Sequence, residues 1–373
     1  MFNSMTPAFS SNKQAACFTA LLAVILLSPL ICRRPCLPPR SEVYSSIPWR
    51  FGGYPYFHRT IFEQEGDLDI AFIGSSRIWS DMNPVQVRQV LSKSLGREAK
   101  VVSLGWISAG FDALYFISQD LLRNRNVRML VVYDEYNPAL GGKCPQRFAS
   151  RWFRYGDNAD EIADLALNVK AGYYASAVLG MPRNLLSELR KNMLAIPAPY
   201  GRFSTENLYQ AKDPGNELGA LCQEKNLGDP TDAFVHCLPQ SDISADDVMV
   251  YSGRTRQKFN ASTRQMPDLQ VYFARKLAEL AKLHDVTLVF LHLPAIDDVN
   301  NDKISEAAIW PEILVGDVKL LGLPSSLLFK GMDRSEIARL FCDPAHLNRN
   351  GQEYFTSLIA PKLVELYHVK MDP

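Results

Sequence analysis

Three short runs of this chain are apolar on both faces and alternate with two segments of helical period, and that alternation restricts the fold more than any other feature. Residues 68–75 (LDIAFIGS), 100–104 (KVVSL) and 128–134 (RMLVVYD) read as strands. Between them, Asn83-Pro84 opens a helix through about Leu95, where Pro84 suits the first turn because its missing N–H would have no partner there anyway. A second helix covers 111–123. Strands without polar alternation need cover on both sides, so the sheet is expected to be parallel and sandwiched between helices. The pattern resumes with an amphipathic helix over 268–282, a continuous apolar strand over 286–293, a weaker fifth strand over 318–323 and a final helix over 351–367. The fold expected is a flavodoxin-like three-layer α/β/α arrangement with a parallel sheet of about five strands.

Between the third and fourth of these strands the pattern breaks. Residues 141–266 contain helical stretches at 159–175 and 182–193, then a Gly/Pro/Asp-rich region, with no buried strand evident. An insertion at that level of an open α/β sheet lies over the carboxyl ends of the strands, where ligands bind, and so reads as a lid. The alternative is a subdomain that touches no substrate. Forty basic and forty acidic side chains give zero formal charge, which argues against a nucleic-acid clamp.

The N-terminal segment 1–34 stands apart. Residues 15–32 (AACFTALLAVILLSPLIC) carry no charge, with Lys13 before them and Arg33, Arg34 and Arg40 after. A run of that length reaches across a bilayer and reads as a membrane anchor, although a cleaved signal peptide has the same look. Residues 35–65, rich in Pro, Ser and aromatic side chains, suit a loosely packed tether to a globular domain at 66–373. Orientation is open: the positive-inside rule puts the Arg33/Arg34 side in the cytoplasm, whereas a signal-anchor exports everything after it. Cys144, Cys222, Cys237 and Cys342 form an even set in the globular part, which favours export. A Cys222–Cys237 disulfide and four unpaired buried thiols are both compatible with it.

Two segments carry chemistry. Gly74-Ser75-Ser76 follows the first strand, where a small-residue turn can hold a hydroxyl exposed. Asp343-Pro344-Ala345-His346 follows the last strand, just before a helix. Ser76 can act as nucleophile, His346 as the base that takes its proton, and Asp343 as the carboxylate that orients the imidazole, reaching it across one irregular turn. Alone, each segment has a plainer reading, a turn or a capped helix start. Both, however, fall on the carboxyl edge of one sheet, where such sites assemble. His292, at the end of the fourth strand, either lines the site or is a satisfied core histidine. Arg77 either holds a substrate anion or forms a surface ion pair. Trp79, Trp106 and Tyr136 either stack on sugar rings or pack in the core. The remaining histidines have no metal-ligand spacing, so no metal and no cofactor is expected.

The four short blocks 72–76, 102–110, 133–137 and 343–346 together resemble the SGNH (GDSL-like) hydrolase superfamily. Ser75 stands where that family usually has Asp, which puts Ser76 at the nucleophile position. The resemblance implies an oxyanion hole built from the Ser76 amide, a glycine amide at Gly105 or Gly110, and the Asn137 side chain. It implies Asp343 and His346 as the other triad members, with Leu347, Asn348 and Gly351 continuing the family pattern. It spans 68–137 and 268 to the end, and the middle does not match. An N-terminal anchor with a Gly-Ser-Ser-Arg block is most similar to membrane-tethered bacterial proteins related to those that O-acetylate alginate or D-alanylate teichoic acids. By that resemblance the protein sits in the bacterial inner membrane as a single-pass chain with its domain on the periplasmic side. It transfers or hydrolyses acyl esters on an acyl-bearing glycan or lipid-linked substrate, alongside envelope polysaccharide machinery. The third block lacks the family's glycine, which keeps a second reading open: a catalytically weak binding or assembly component of such a complex. A lipase or thioesterase would need a broad apolar lid, which the Gly, Asp and Pro content of the insertion disfavours.

Overall fold

The computed structural model describes residues 11–31, 39–45, 54–105, 110–134, 149–155, 160–176, 249–251, 267–295, 313–314, 316–323, 328–343 and 345–369. They belong to two compact units, one from Met1–Val43 with Arg147–Arg202, the other from Tyr44–Gln146 with Phe203–Pro373.

The larger unit is built on a sheet of six strands: β1 (Leu68–Gly74), β2 (Val101–Gly105), β3 (Val127–Tyr133), β4 (Met249–Tyr251), β5 (Thr287–Leu291) and β6 (Val318–Gly322). Their order is β2-β1-β3-β5-β6-β4. The first five are parallel, in registers such as Gly74 beside Gly105 and Ile73 beside Val132, and β4 joins the edge antiparallel to β6. Every residue of β1 and β5 is buried, which explains why neither shows polar alternation. Helices flank the sheet, and the fold is a three-layer α/β/α arrangement. The strand β4 falls within residues 141–266, where the sequence shows no buried strand. Three residues at a sheet edge are too few to show a period.

Helix α1 (Asn12–Ile31) lies in the smaller unit. In the larger unit are α2 (Ser76–Asp81), α3 (Pro84–Leu95), α4 (Phe111–Asn124), α5 (Asp268–Leu283), α6 (Arg334–Ala338) and α7 (Arg349–Val369). The α3 helix begins where Asn83 accepts hydrogen bonds from the Val85 and Gln86 amides, and ends at Gly96, whose φ of 64° is a left-handed cap. It packs on α7, and α4 packs on α5. Phe273 of α5 lies 5.6 Å from the Tyr115 ring and 5.8 Å from the Phe116 ring of α4.

Among the described residues of the segment read as a loose tether, several side chains are in the core. Tyr44, Phe57 and Ile61 are fully buried, and the Tyr44 hydroxyl donates to Asp120 Oδ2 at 2.9 Å. The Arg125 guanidinium donates to the carbonyls of Thr60, Glu65 and Gly66, the last at 2.6 Å. Composition suggested a linker because it records Pro and Ser, not where the aromatic rings go.

A second buried polar knot ties the start of β1 to the end of α7. Asp69 accepts from both terminal nitrogens of Arg97 at 2.6 and 2.8 Å, from the Lys100 amide at 2.8 Å and from the Tyr367 hydroxyl at 2.5 Å. Burial by itself would raise the Asp69 pKa, but these donors together hold it at about 2. Burial and the bond to Asp69 push Tyr367 up to about 12.

In the smaller unit, α1 has 20 residues, about 30 Å at 1.5 Å per residue. Phe18, Leu21, Leu22 and Val24 on this helix are between 43% and 60% exposed. Among the described residues no helix is long and apolar enough to cross a membrane, and the described side chains of α1 end at Val24. The helix expected over 159–175 is broken: Asp160–Ile162 is a 3-10 turn, closed by Ala163 N–H to Asp160 O, and regular helix starts only at 167. Asp160 and Asp164 favour turns over helix interiors, which accounts for the break. Residues 182–193 and the Cys222–Cys237 pair lie outside the described residues. Cys342 is disulfide-bonded, which corrects the reading of four unpaired thiols.

Candidate active site

The turn expected after β1 is a helix. Ser75 is its N-cap, with its hydroxyl accepting from the Arg77 amide at 3.2 Å, so it performs the capping that an Asp at this position would perform. Ser76 is the first residue of α2 and is partly exposed, whereas Ser75 is buried. Two glycines allow α2 to sit on the ends of the strands. A Cβ on Gly74 would lie 2.1 Å from Ile78 Cγ1, and one on Gly105 would lie 1.6 Å from the Trp79 ring. The apolar face of α2 therefore presses onto bare backbone at the carboxyl ends of β1 and β2.

The histidine arrives on a short hairpin whose register shifts between Phe341 and Asp343. Strands β7 (Phe341–Asp343) and β8 (His346–Leu347) pair antiparallel, with Asp343 opposite His346 and Phe341 opposite Leu347. Asn348 secures the passage into α7: its amide donates to Leu340 O at 2.9 Å, and its Oδ1 accepts from the Gly351 amide at 3.1 Å. Gly351 is required here, since a Cβ would meet Leu340 O at 2.2 Å.

Ser76 Oγ and His346 Nε2 share a hydrogen bond of 2.9 Å. Both residues are partly exposed, so a reactant can reach the pair. The contact stands among other bonds between the same two pieces of chain. Leu347 N–H donates to Asp81 Oδ1 at 2.9 Å, the Gln352 side chain donates to Trp79 O at 3.0 Å and Met82 O at 2.9 Å, and Asn83 N–H donates to Thr356 Oγ1 at 2.9 Å. Asp81 is fully buried. It also accepts from Arg77 Nε at 3.1 Å and from Ser80 Oγ at 2.5 Å. Burial pushes its pKa up, against the pull of Arg77, His346 and the two further donors.

The other residues singled out from sequence fall differently. Gly105 ends β2 beside Gly74 under the Trp79 ring, and Gly110 is the N-cap of α4. Arg77 was read as a substrate or surface group; it is 8% exposed, paired with Asp81, and donates to Pro294 O at 2.5 Å. It faces inward because α2 turns it toward the sheet. His292 is 3% exposed, with its Nδ1 sharing a 2.9 Å hydrogen bond with Asp134 Oδ2, so it is a paired core histidine and not an open binding group. Trp79 is likewise core, at 4% exposure. Trp106, Tyr136 and Asn137 lie outside the described residues. Sequence reading missed Asp81, Gln352 and Asp134. The Arg77 and Asp81 spacing of four is an ion-pair signal on a helix, legible only once the segment is known to be helical.

These observations define an α/β protein with a serine hydroxyl hydrogen-bonded to an imidazole at the carboxyl edge of a parallel sheet. The chain shows no match to a protein-family model or to a curated protein.

Proposed function

We propose that the protein is a membrane-anchored SGNH-type serine O-acyltransferase or esterase that acts on acyl esters of a cell-envelope polysaccharide or its lipid-linked precursor. The observation that carries this reading is the 2.9 Å contact between Ser76 Oγ and His346 Nε2. In the reaction, Ser76 Oγ attacks the acyl carbonyl while His346 takes the hydroxyl proton. The oxyanion is held by backbone amides at Ser76 and at Gly105 or Gly110, with Asn137 as the side-chain donor. The C–O bond to the leaving alcohol breaks as His346 returns the proton to it, leaving an acyl ester on Ser76. A glycan hydroxyl or water, deprotonated by His346, then attacks that ester and frees Ser76. Asp343, opposite His346 in the hairpin register, is assigned the orienting role.

Two further observations support the placement. The exposed apolar side chains of α1 suit a lipid environment, and a disulfide at Cys342 suits an oxidising compartment such as the periplasm. One observation favours the second reading, a weak or inactive assembly component: the third block, Tyr133-Asp134-Glu135-Tyr136-Asn137, lacks the family's preceding glycine. The test is turnover of p-nitrophenyl acetate by the full chain in detergent. Hydrolysis that falls at least about a thousandfold in both Ser76→Ala and His346→Gln supports the enzyme. A wild-type rate equal to that of Ser76→Ala supports the assembly component.

A further inference from the structure

The nucleophile helix ends in a carboxylate that is fully buried and points at the backbone of the histidine strand. Asp81 Oδ1 accepts the amide of Leu347, the residue directly after His346, at 2.9 Å. Its other oxygen takes Arg77 Nε at 3.1 Å, and Ser80 adds a third donor. A carboxylate removed from water in this way needs compensation, which Arg77 supplies from one turn back on the same helix. Arg77 is itself anchored to the Pro294 carbonyl beyond β5. The side chains of α2 therefore do two jobs from one short helix: its first residue presents the hydroxyl, and its last fixes the strand that presents the imidazole.

We infer that Asp81 is a positioning residue for His346: it holds β8 through the Leu347 amide and keeps its carboxyl within electrostatic reach of the imidazolium that forms when Ser76 gives up its proton. This rests on the Ser76–His346 reading of the site. Among the described residues, the charged and titratable groups that act electrostatically on the Asp81 carboxyl are Arg77 from α2 and His346 from β8. Burial pushes the Asp81 pKa up while Arg77 and His346 pull it down, so a proton taken up by His346 favours the charged carboxylate. Asp343 lies opposite His346 on the other strand of the hairpin. The i, i+4 pair of Arg77 and Asp81 thus has a purpose beyond helix stability.

The test is the second-order rate of labelling by a fluorophosphonate probe, followed from about pH 5 to 9 so as to span the ordinary histidine range. It uses the full chain in detergent as wild type, as Asp81→Asn, and as the neutral pair Arg77→Gln with Asp81→Asn. Asp81→Asn keeps an oxygen for the Leu347 amide and removes the charge; the neutral pair avoids leaving a buried guanidinium uncompensated. Both should label at least about tenfold more slowly, the effect of losing one nearby charge in a protein interior, and the acid limb of the profile should move to lower pH. A purely structural Asp81 would not move that limb. On the wild type, the ¹³C signal of the Asp81 carboxyl should shift as His346 titrates, a readout that needs no variant to fold. Labelling within twofold of wild type with an unmoved profile, or a carboxyl signal indifferent to His346, overturns the inference. Absence of Ser76 labelling in the wild type would instead overturn the reading on which it rests.

Discussion

Ser76 and His346 are separated by 270 positions in the chain and meet at 2.9 Å. Residues that do no bond-making bring them together. Gln352 reaches from α7 to the carbonyls of Trp79 and Met82 on one side of α2, Thr356 takes the Asn83 amide, and Asp81 takes the Leu347 amide. Each is a buried or partly buried bond between the two ends of the globular fold, so the hydroxyl and imidazole are held by the packing of α2 on α7 and β8, not by their own weak attraction. This arrangement makes the site sensitive to changes that leave Ser76 and His346 untouched.

Gly105→Ala is such a change. The added methyl would fall 1.6 Å from the Trp79 ring, so Trp79 and with it α2 must move. Overpacking of this kind costs about 1–3 kcal/mol. Thermal melting should show that loss, and probe labelling of Ser76 should slow as well. Adding Trp79→Leu should restore part of both, because the ring is what the methyl meets; no recovery would show that Gly105 matters for another reason.

The disulfide at Cys342 sits in β7, next to Asp343. Its loss frees the hairpin that carries His346 and relaxes the unfolded chain. Cys342→Ser should therefore lower stability by about 2 kcal/mol or more, and reduction of the wild type with dithiothreitol should slow Ser76 labelling. A thiol count on the denatured, unreduced protein checks the premise: Cys342 should resist alkylation.

The parallel core could be read from the sequence because β1, β3 and β5 are buried along most of their length and show it as mainly apolar runs without polar alternation. The helix over Pro84–Leu95 was legible from Asn83-Pro84 at its start, where each residue has a specific local duty. Ser76 and His346 could be paired on paper because both follow core strands. Other parts left no local mark. Helix α2 is six residues long, and its formation depends on Gly74 and Gly105 lying beneath Ile78 and Trp79, a contact between distant segments. The β7–β8 hairpin is too short for periodicity, and β4 exists only because β6 offers it an edge. For Arg77 and His292 the sequence left a binding role open beside a plainer one, and only the fold reveals the buried partners Asp81 and Asp134.

The Asp69 knot gives the fold an acid-sensitive tie. With its pKa lowered from 3.8 to about 2 in the folded state, Asp69 contributes stability fully above the unfolded value. That contribution fades as pH falls from about 4 toward 2. The shift approaches two units, and because Arg97 is half-exposed, solvent screening reduces its worth to about 1–2 kcal/mol. Asp69→Asn should melt earlier than wild type at pH 7, and the gap should narrow as pH is lowered below about 4. A gap that stays constant to the acid limit would remove the charge from the explanation.

The central claim, that a serine at the start of α2 is activated by the histidine of β8, is tested most directly by locating a covalent adduct. Full-length protein treated with a fluorophosphonate, digested and sequenced by tandem mass spectrometry should carry the phosphonyl group on Ser76. The adduct should be absent after His346→Gln in protein that still melts cooperatively. An adduct on Ser75, or labelling of Ser76 that is unchanged without the imidazole, would contradict the account.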